Sequence, residues 1–462
     1  MNALPTHRSS RTAAMGRQTS LLVRRVGASR SLLTRDGLTS MLHYTSYVIE
    51  HPIGGRYRAM TLAAVTLTDD QLELQSLAKD FAQSEITPVA AERDRIVDPL
   101  EAFPWETWRK GAALGLRTLA LPPEHGGRGM DILTHCVVLE ELCAADAGFG
   151  AAFHQVWKTQ RLLLTTEYLR EEILPRFIAD DDFMLCLGFT EPDSGSDNLL
   201  PYDGSDGGAR TTAVQQPNGD WVISGRKIFI FTGGLAKGSF VLCRTDTAKG
   251  MSDGATLFYV DHTTPSFRYG HIFSKLGWRL TPNAELIFED VVVPDEARVS
   301  EVGQGVPFIG SFGKPHAATT AVFAVATARA AFDLTLAWCK QRVQGGKPII
   351  EHQSVAMRLA DMWTDIDVAR AYTWRAAWSA EHDPAYDVRL GPASQLIAAE
   401  MVVRVCYNAV QLWGGRGYMR EYPIEKLLRD AFANYHLDGL NDTNRIRIGR
   451  SLAGRGGGGY IG

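Results

Sequence analysis

The chain has 462 residues, 45% of them hydrophobic and 22% charged, with a formal net charge of −4. That length supports two or three domains with sizeable cores, and the lack of any run of about 18 or more apolar residues speaks against a membrane-spanning helix. The six cysteines (Cys136, Cys143, Cys186, Cys243, Cys339, Cys406) are scattered with no CxxC pair, which excludes a zinc ribbon or disulfide framework and fits buried thiols.

Residues 1–59 hold nine arginines, no lysine and two acids, Asp36 and Glu50. Basic, hydroxylated and poor in acids, this segment has the composition of a mitochondrial transit peptide. The alternative is a non-native N-terminal extension, because Met60 opens a well-patterned region. The first reading places the protein in the mitochondrial matrix, and a bacterial source would place it in the cytoplasm. The rest of the chain is distinctly acidic, which argues against a nucleic-acid footprint.

From Leu67 to about Ala179 the pattern is helical. "TDDQLELQSLAKDFAQSEI" opens with Thr68 as N-cap, "LALPPEHGGRGMD" is a loop, and "ILTHCVVLEELCAAD" resumes the helix. Between about Phe183 and Val299 the period shortens. "WVISGRKIFIF" reads as two strands around a turn at Ser224-Gly225, and "SFVLCRTD", "ATLFYVD" and "AELIFEDVVV" are further strands. After Gly303 long helices return, several apolar nearly all round, as in a bundle or a subunit interface. The tail "GRGGGGYIG" is expected to be mobile. The expected fold class is α+β: an N-terminal helical domain (60–182), a central small antiparallel β domain (183–300) and a C-terminal helical bundle (301–455), after the 1–59 extension.

Two stretches carry chemistry. "GFTEPDSGSD" (188–197) sits where the helical and β domains meet. Its small and hydroxylated residues allow close backbone approach and offer N–H and O–H donors, which suits a ring that gains charge on reduction. "VQLWGGRGYMREYPIEKLLRDA" (410–431) ends a helix at Gly414-Gly415 and begins another after a proline.

With "LPPEHGGRGM", "GRKIFI", "IFEDVVVP" and "KPIIEHQ", these stretches resemble the acyl-CoA dehydrogenase family of flavoproteins, from about Leu67 to Arg450. The resemblance implies a helix–β–helix fold, FAD, and a homodimer or homotetramer. It also implies α,β-dehydrogenation of an acyl-CoA thioester, with electrons passing to an electron-transfer flavoprotein or another acceptor. It assigns Phe189, Thr190 and Ser196 to the flavin, Arg342 to the FAD pyrophosphate across a subunit interface, and Gln353 to cofactor packing. Gln411, Gly414 and Gly415 then approach the adenosine half from a neighbouring subunit.

Three departures stand out. Phe229 replaces the family's usual Trp, and Phe231 stands where a flavin-facing Thr is usual, leaving Thr232 to compensate or not. Gly345 replaces an aromatic after Arg342. "KPHAATT" replaces the usual Arg-Pro helix start and puts His316 at a position that faces the active site in the family.

The family base is the Glu of a Glu-Gly pair nine residues after the Arg of "RDA". Counting from Arg429 reaches Asp438, followed by Gly439. Asp is shorter by one carbon–carbon bond, about 1.5 Å, and a misplacement of about 1 Å can cost on the order of 100-fold in rate. Asp438 is therefore the base in a pocket shaped for another substrate, a weak relic beside a second base such as His316, or a structural acid. In the first case its backbone N–H and a flavin ribityl hydroxyl polarise the thioester, and the substrate is expected to be bulky or cyclic. A relative, nitroalkane oxidase, uses an Asp base that pairs with an arginine seven residues on, here Arg445. A flavin oxidase of that kind is the runner-up, and a catalytically weak flavin-binding protein the third reading.

Overall fold

The computed structural model describes residues 65–198, 204–313, 315–438 and 440–454, less the side chains of residues 312, 315 and 316, plus the backbone of three strands nearer the N-terminus. The chain divides into two units, Met1–Thr66 and Leu67–Gly462. In the first, β1 (Val23–Val26), β2 (Ser46–His51) and β3 (Gly55–Arg58) form an antiparallel sheet in that order. The remainder of the 1–59 extension, the tail after Gly454 and Gly439 lie outside the described residues.

The second unit begins with helices. Thr68 caps α1 (Asp69–Phe81): its hydroxyl accepts from Gln71 N–H, and the Gln71 side chain accepts from Thr68 N–H, a closed capping box. Then follow α2 (Thr87–Arg93), α3 (Trp105–Ala113), α4 (Ile132–Ala145), α5 (Ala147–Gln160) and α6 (Leu174–Ala179). Helices α4 and α5 are buried almost all round, as their nearly unbroken apolar sequences require. Asp146 separates them, ending α4 and accepting from Phe149 N–H to start α5.

The middle of the chain forms a seven-stranded sheet: β4 (Met184–Gly188), β5 (Thr212–Gln215), β6 (Trp221–Phe231), β7 (Ala236–Arg244), β8 (Ala255–Asp261), β9 (Phe267–Phe273) and β10 (Asn283–Val293). The order is β4-β7-β5-β6-β10-β9, with β8 also on β7. Most pairs are antiparallel, but β4 and β5 both run parallel to β7. The turn expected at Ser224-Gly225 is a correction. "WVISGRKIFIF" is one strand, bent at Gly225 (φ 143°), and both halves pair with β10. A Cβ at Gly225 would lie 2.7 Å from the Thr211 backbone, so the strand bends where only glycine fits. Asp290, also left-handed (φ 60°), accepts from Ser224 Oγ at 2.6 Å across this irregular register.

A short helix, α7 (Met251–Gly254), interrupts the sheet; α8 (Gly305–Gly313) leads into the bundle of α9 (Thr319–Gln341), α10 (Gln353–His382), α11 (Leu390–Trp413), α12 (Ile424–Ala431) and α13 (Asn441–Leu452). A two-residue hairpin, β11 (Val343–Gln344) with β12 (Lys347–Pro348), joins α9 to α10. Among the described residues α9 is the one helix long and apolar enough to cross a membrane; here that apolar surface packs on α4, α10 and α11. The architecture is α+β: helices, sheet, helical bundle.

Candidate active site

Where the three parts meet lies a cavity of about 890 Å³. The 188–197 loop forms one wall. Its geometry is set by Glu191, whose carboxylate accepts from the backbone N–H of Arg210 and Thr211 and from Lys227 Nζ at 2.6 Å. Lys227 also donates to the carbonyls of Leu242 and Phe189. Burial pushes the Glu191 carboxyl up, but Lys227 and these hydrogen bonds hold it below the usual carboxylate range. The pair joins "TEP" to "GRK", and so fixes the backbone of Phe189 and Thr190. Asp197 closes the far end of the loop, accepting from the N–H groups of Gly195 and Gly208.

Phe189, Thr190, Gly195 and Ser196 line this wall; the Thr190 and Ser196 hydroxyls have no hydrogen-bond partner among the described residues. Phe229, Ile230 and Phe231 line the β6 side. Phe229 is left-handed (φ 57°) and 54% exposed to the cavity mouth. Adjacent donors and flat aromatic surfaces suit an isoalloxazine ring. Thr232 is different: it is fully buried, its hydroxyl is spent on the carbonyls of Leu185 and Phe231, and it is absent from the cavity wall. It does not replace the hydroxyl missing at Phe231. The ammonium of Lys275 instead stands 5.2 Å from the Phe231 ring centre, donating to Thr281 O and Asn283 Oδ1.

The opposite wall comes from α5, α9 and the segment after α12. Phe231, Trp278 and Phe323 pack edge to face, and His154 extends the row. Trp278 is placed by Asp430, whose carboxylate accepts from Trp278 N–H at 2.6 Å while its carbonyl accepts from the indole. Lys426 bridges Asp430 and Asp146, each at 2.6 Å, so one buried cluster ties the start of α5 to α12. Gly148 fits here because a Cβ would sit 2.8 Å from the Trp278 backbone.

Asp438 reaches the same cavity. Its backbone is left-handed (φ 45°), and its side chain keeps about half its surface open toward the cavity. Oδ2 accepts from Thr320 Oγ1 at 3.2 Å and lies 3.5 Å from Lys158 Nζ. The Lys158 ammonium holds its carboxyl below the usual range against burial, with help from the Thr320 hydroxyl. His154 is buried, which, with Lys158 nearby, brings its imidazole down to about 3, so it is neutral; its Nδ1 meets His135 Nε2 at 2.9 Å.

The other assignments fall elsewhere. The His316 side chain is outside the described residues, and its backbone lies in the turn before α9. Gln353, Gln411, Gly414 and Gly415 are exposed, Arg342 is half-buried, and none of the five lines the cavity. Arg445 does not pair with Asp438: its guanidinium binds Glu400 and Asp442. Lys158, His154, Thr320 and Trp278 were missed in the sequence. The i, i+4 spacing of His154 and Lys158 on an otherwise apolar helix was the available signal.

Comparison with known proteins agrees with this geometry. Models of the acyl-CoA dehydrogenase N-terminal, middle and C-terminal domains match residues 68–181, 186–291 and 303–453. Cyclohex-1-ene-1-carbonyl-CoA dehydrogenase of Syntrophus aciditrophicus is 34% identical over 84% of this chain and 90% of its own. The short-chain-specific acyl-CoA dehydrogenase of Clostridium acetobutylicum is 30% identical over 83% and 97%. The structure of butyryl-CoA dehydrogenase from Megasphaera elsdenii superimposes with a TM-score of 0.78, at 30% identity, over 85% of this chain and all of that one. The chain therefore belongs to the acyl-CoA dehydrogenase family: it is an FAD-dependent oxidoreductase of acyl-CoA CH–CH bonds.

Proposed function

We propose that the protein forms the Cα=Cβ bond of a bulky or alicyclic acyl-CoA, with Asp438 as the base. The observation that carries this reading is the placement of the Asp438 carboxylate: ionised, open to the cavity, and held at one oxygen by Thr320 and Lys158. A carboxylate so held can take the α proton once the thioester carbonyl is polarised, for which the Asp438 N–H is the assigned donor. Phe189, Thr190, Ser196 and Phe229 would hold the flavin ring; FAD, when bound, supplies the acceptor for the β hydrogen and its electron pair.

Two features support a compact, wide acyl group. Asp438 is shorter than the usual Glu, so the α carbon must come closer to the wall that bears it. The row from Phe231 to Phe323, locked edge to face, is a rigid aromatic wall suited to a compact ring. The alicyclic substrate named for the 34%-identical relative points the same way. Exposure of Gln353, Gln411, Gly414 and Gly415, with Arg342 half-buried and away from this chain's own cavity, supports their service to a neighbouring subunit's cofactor. So does exposed apolar surface at Met357, Trp363, Val368 and Tyr407 on α10 and α11, which suits a homodimer or homotetramer. An electron-transfer flavoprotein is the proposed acceptor.

The test is anaerobic flavin bleaching by straight, branched, alicyclic and aryl acyl-CoAs. Fastest bleaching by an alicyclic or branched thioester is expected. A clear preference for straight medium chains would overturn the substrate class. Oxygen consumption with a nitroalkane and no added acceptor would install the oxidase reading, which the Arg445 geometry disfavours.

A further inference from the structure

Helix α5 brings a cation into the cavity that nothing above assigns. Lys158 stands one turn after His154, on the same face, and its side chain is only 18% exposed. Its ion pair with Asp438 is the one it makes among the described residues. A lysine placed there for solubility would reach water; this one points at the acid beneath it.

The other groups around Asp438 are neutral or already engaged. On α5, His154 is uncharged and bonded to His135 of α4. From α9, Thr320 contributes a hydroxyl. From α11, Gln395 donates to Leu437 O, and from α13 Asn444 donates to Gln395, with Arg447 against Asn444. His436 lines the cavity two residues before the acid. Within 4 Å of Asp438, Lys158 is the single charged partner among the described residues.

We propose that Lys158 is a positioning residue for the reaction: with the Thr320 hydroxyl, its ammonium sets where the short Asp438 carboxylate points and keeps it in the proton-accepting form. The inference rests on Asp438 being the base. The proton that leaves the α carbon forms an O–H bond on Asp438, and the broken C–H pair becomes the new double bond as the β hydrogen departs with its own electron pair, for which bound FAD would be the acceptor. The adjacent ammonium then favours release of that proton, so the acid is reset for the next substrate. It also makes Asp438 a weaker base, so polarisation of the thioester carbonyl must supply the acidity of the α C–H.

The experiment uses the FAD-loaded holoenzyme in four forms: unaltered, Lys158→Met, Lys158→Arg and Asp438→Asn. Infrared difference titration of ¹³C-labelled aspartate carboxyls, without substrate, reads Asp438 directly; Asp438→Asn identifies its band. In Lys158→Met the protonation of that band should move upward by about one pH unit or more, the effect of an opposite charge within ~4–6 Å. Lys158→Arg should restore it. The acid limb of anaerobic flavin reduction, with butyryl-CoA and cyclohexanecarbonyl-CoA as probes, should move in step. An unmoved Asp438 band in Lys158→Met overturns the proposal, as does a moved band with an unmoved acid limb. Undiminished flavin reduction in Asp438→Asn instead sinks the base assignment, and the band position still shows whether the pair exists.

Discussion

Asp430 and Asp438 lie eight residues apart in one segment, and their surroundings make them opposites. Asp430 is 1% exposed; Lys426 and the Trp278 backbone satisfy its oxygens, and it joins α12 to the loop between β9 and β10. Asp438 is held on one oxygen only, at 3.2 and 3.5 Å, and faces open space. A buried carboxylate with both oxygens engaged is a joint. One with lone pairs to spare, and a cation near enough to keep it ionised, is a reagent.

That contrast can be broken in graded ways. The largest effect is expected from Asp438→Asn: FAD stays bound and thermal unfolding barely moves, while anaerobic flavin reduction falls by about 10²–10⁴-fold, the usual worth of a general base. Loss of the yellow colour instead would make Asp438 structural. Asp430→Ala should do the reverse, lowering unfolding free energy by about 3–5 kcal/mol in a denaturant titration, as when one partner leaves a buried pair. A change under about 1 kcal/mol would erase the distinction.

Asp438→Glu is a finer probe. The family's usual acid should slow this enzyme by about 10–100-fold, because a misplacement near 1 Å is enough to do so. A faster variant would show that the cavity is not built around the shorter acid. The last probe, Lys275, reads stability across a pH range. Burial brings its ammonium down to about 7, against the opposing pull of Asp430 and Asp146, while the unfolded chain keeps the ordinary 10.5. Between those values the unfolded chain binds more protons, so stability should rise with pH from about 7. Lys275→Met should flatten that slope in denaturation curves taken across the window.

Much of this was legible in the chain itself. Periodicity marked the helical domain, the short-period middle and the bundle, and Thr68 caps its helix as read. Ser224-Gly225 misled because a glycine at a strand bend has the same local signature as one in a turn; pairing with β10 decides, and that partner is some sixty residues away. The parallel pairing of β4 with β7 is equally non-local. Counting from Arg429 found Asp438. Lys158 escaped because "AAFHQVWKTQ" reads as a core helix, and only tertiary packing shows which face meets the acid. Thr232 was read as a neighbour that could compensate, but it lies just past the end of β6 with a left-handed backbone (φ 61°), which turns its hydroxyl inward to Leu185 O and away from the cavity.

The left-handed backbone at Asp438 has a consequence for how this site could have arisen. Asp and Asn tolerate that conformation better than longer acids do, because a short polar side chain can bond locally. Position 438 thus screens its occupants twice, first by what the main chain accepts and then by what the chemistry requires. A saturation library read for folding alone should return Asn, Gly and Asp there, and selection for turnover should leave only Asp. A change to a longer acid would then have to begin in the neighbouring loop, with the side chain following.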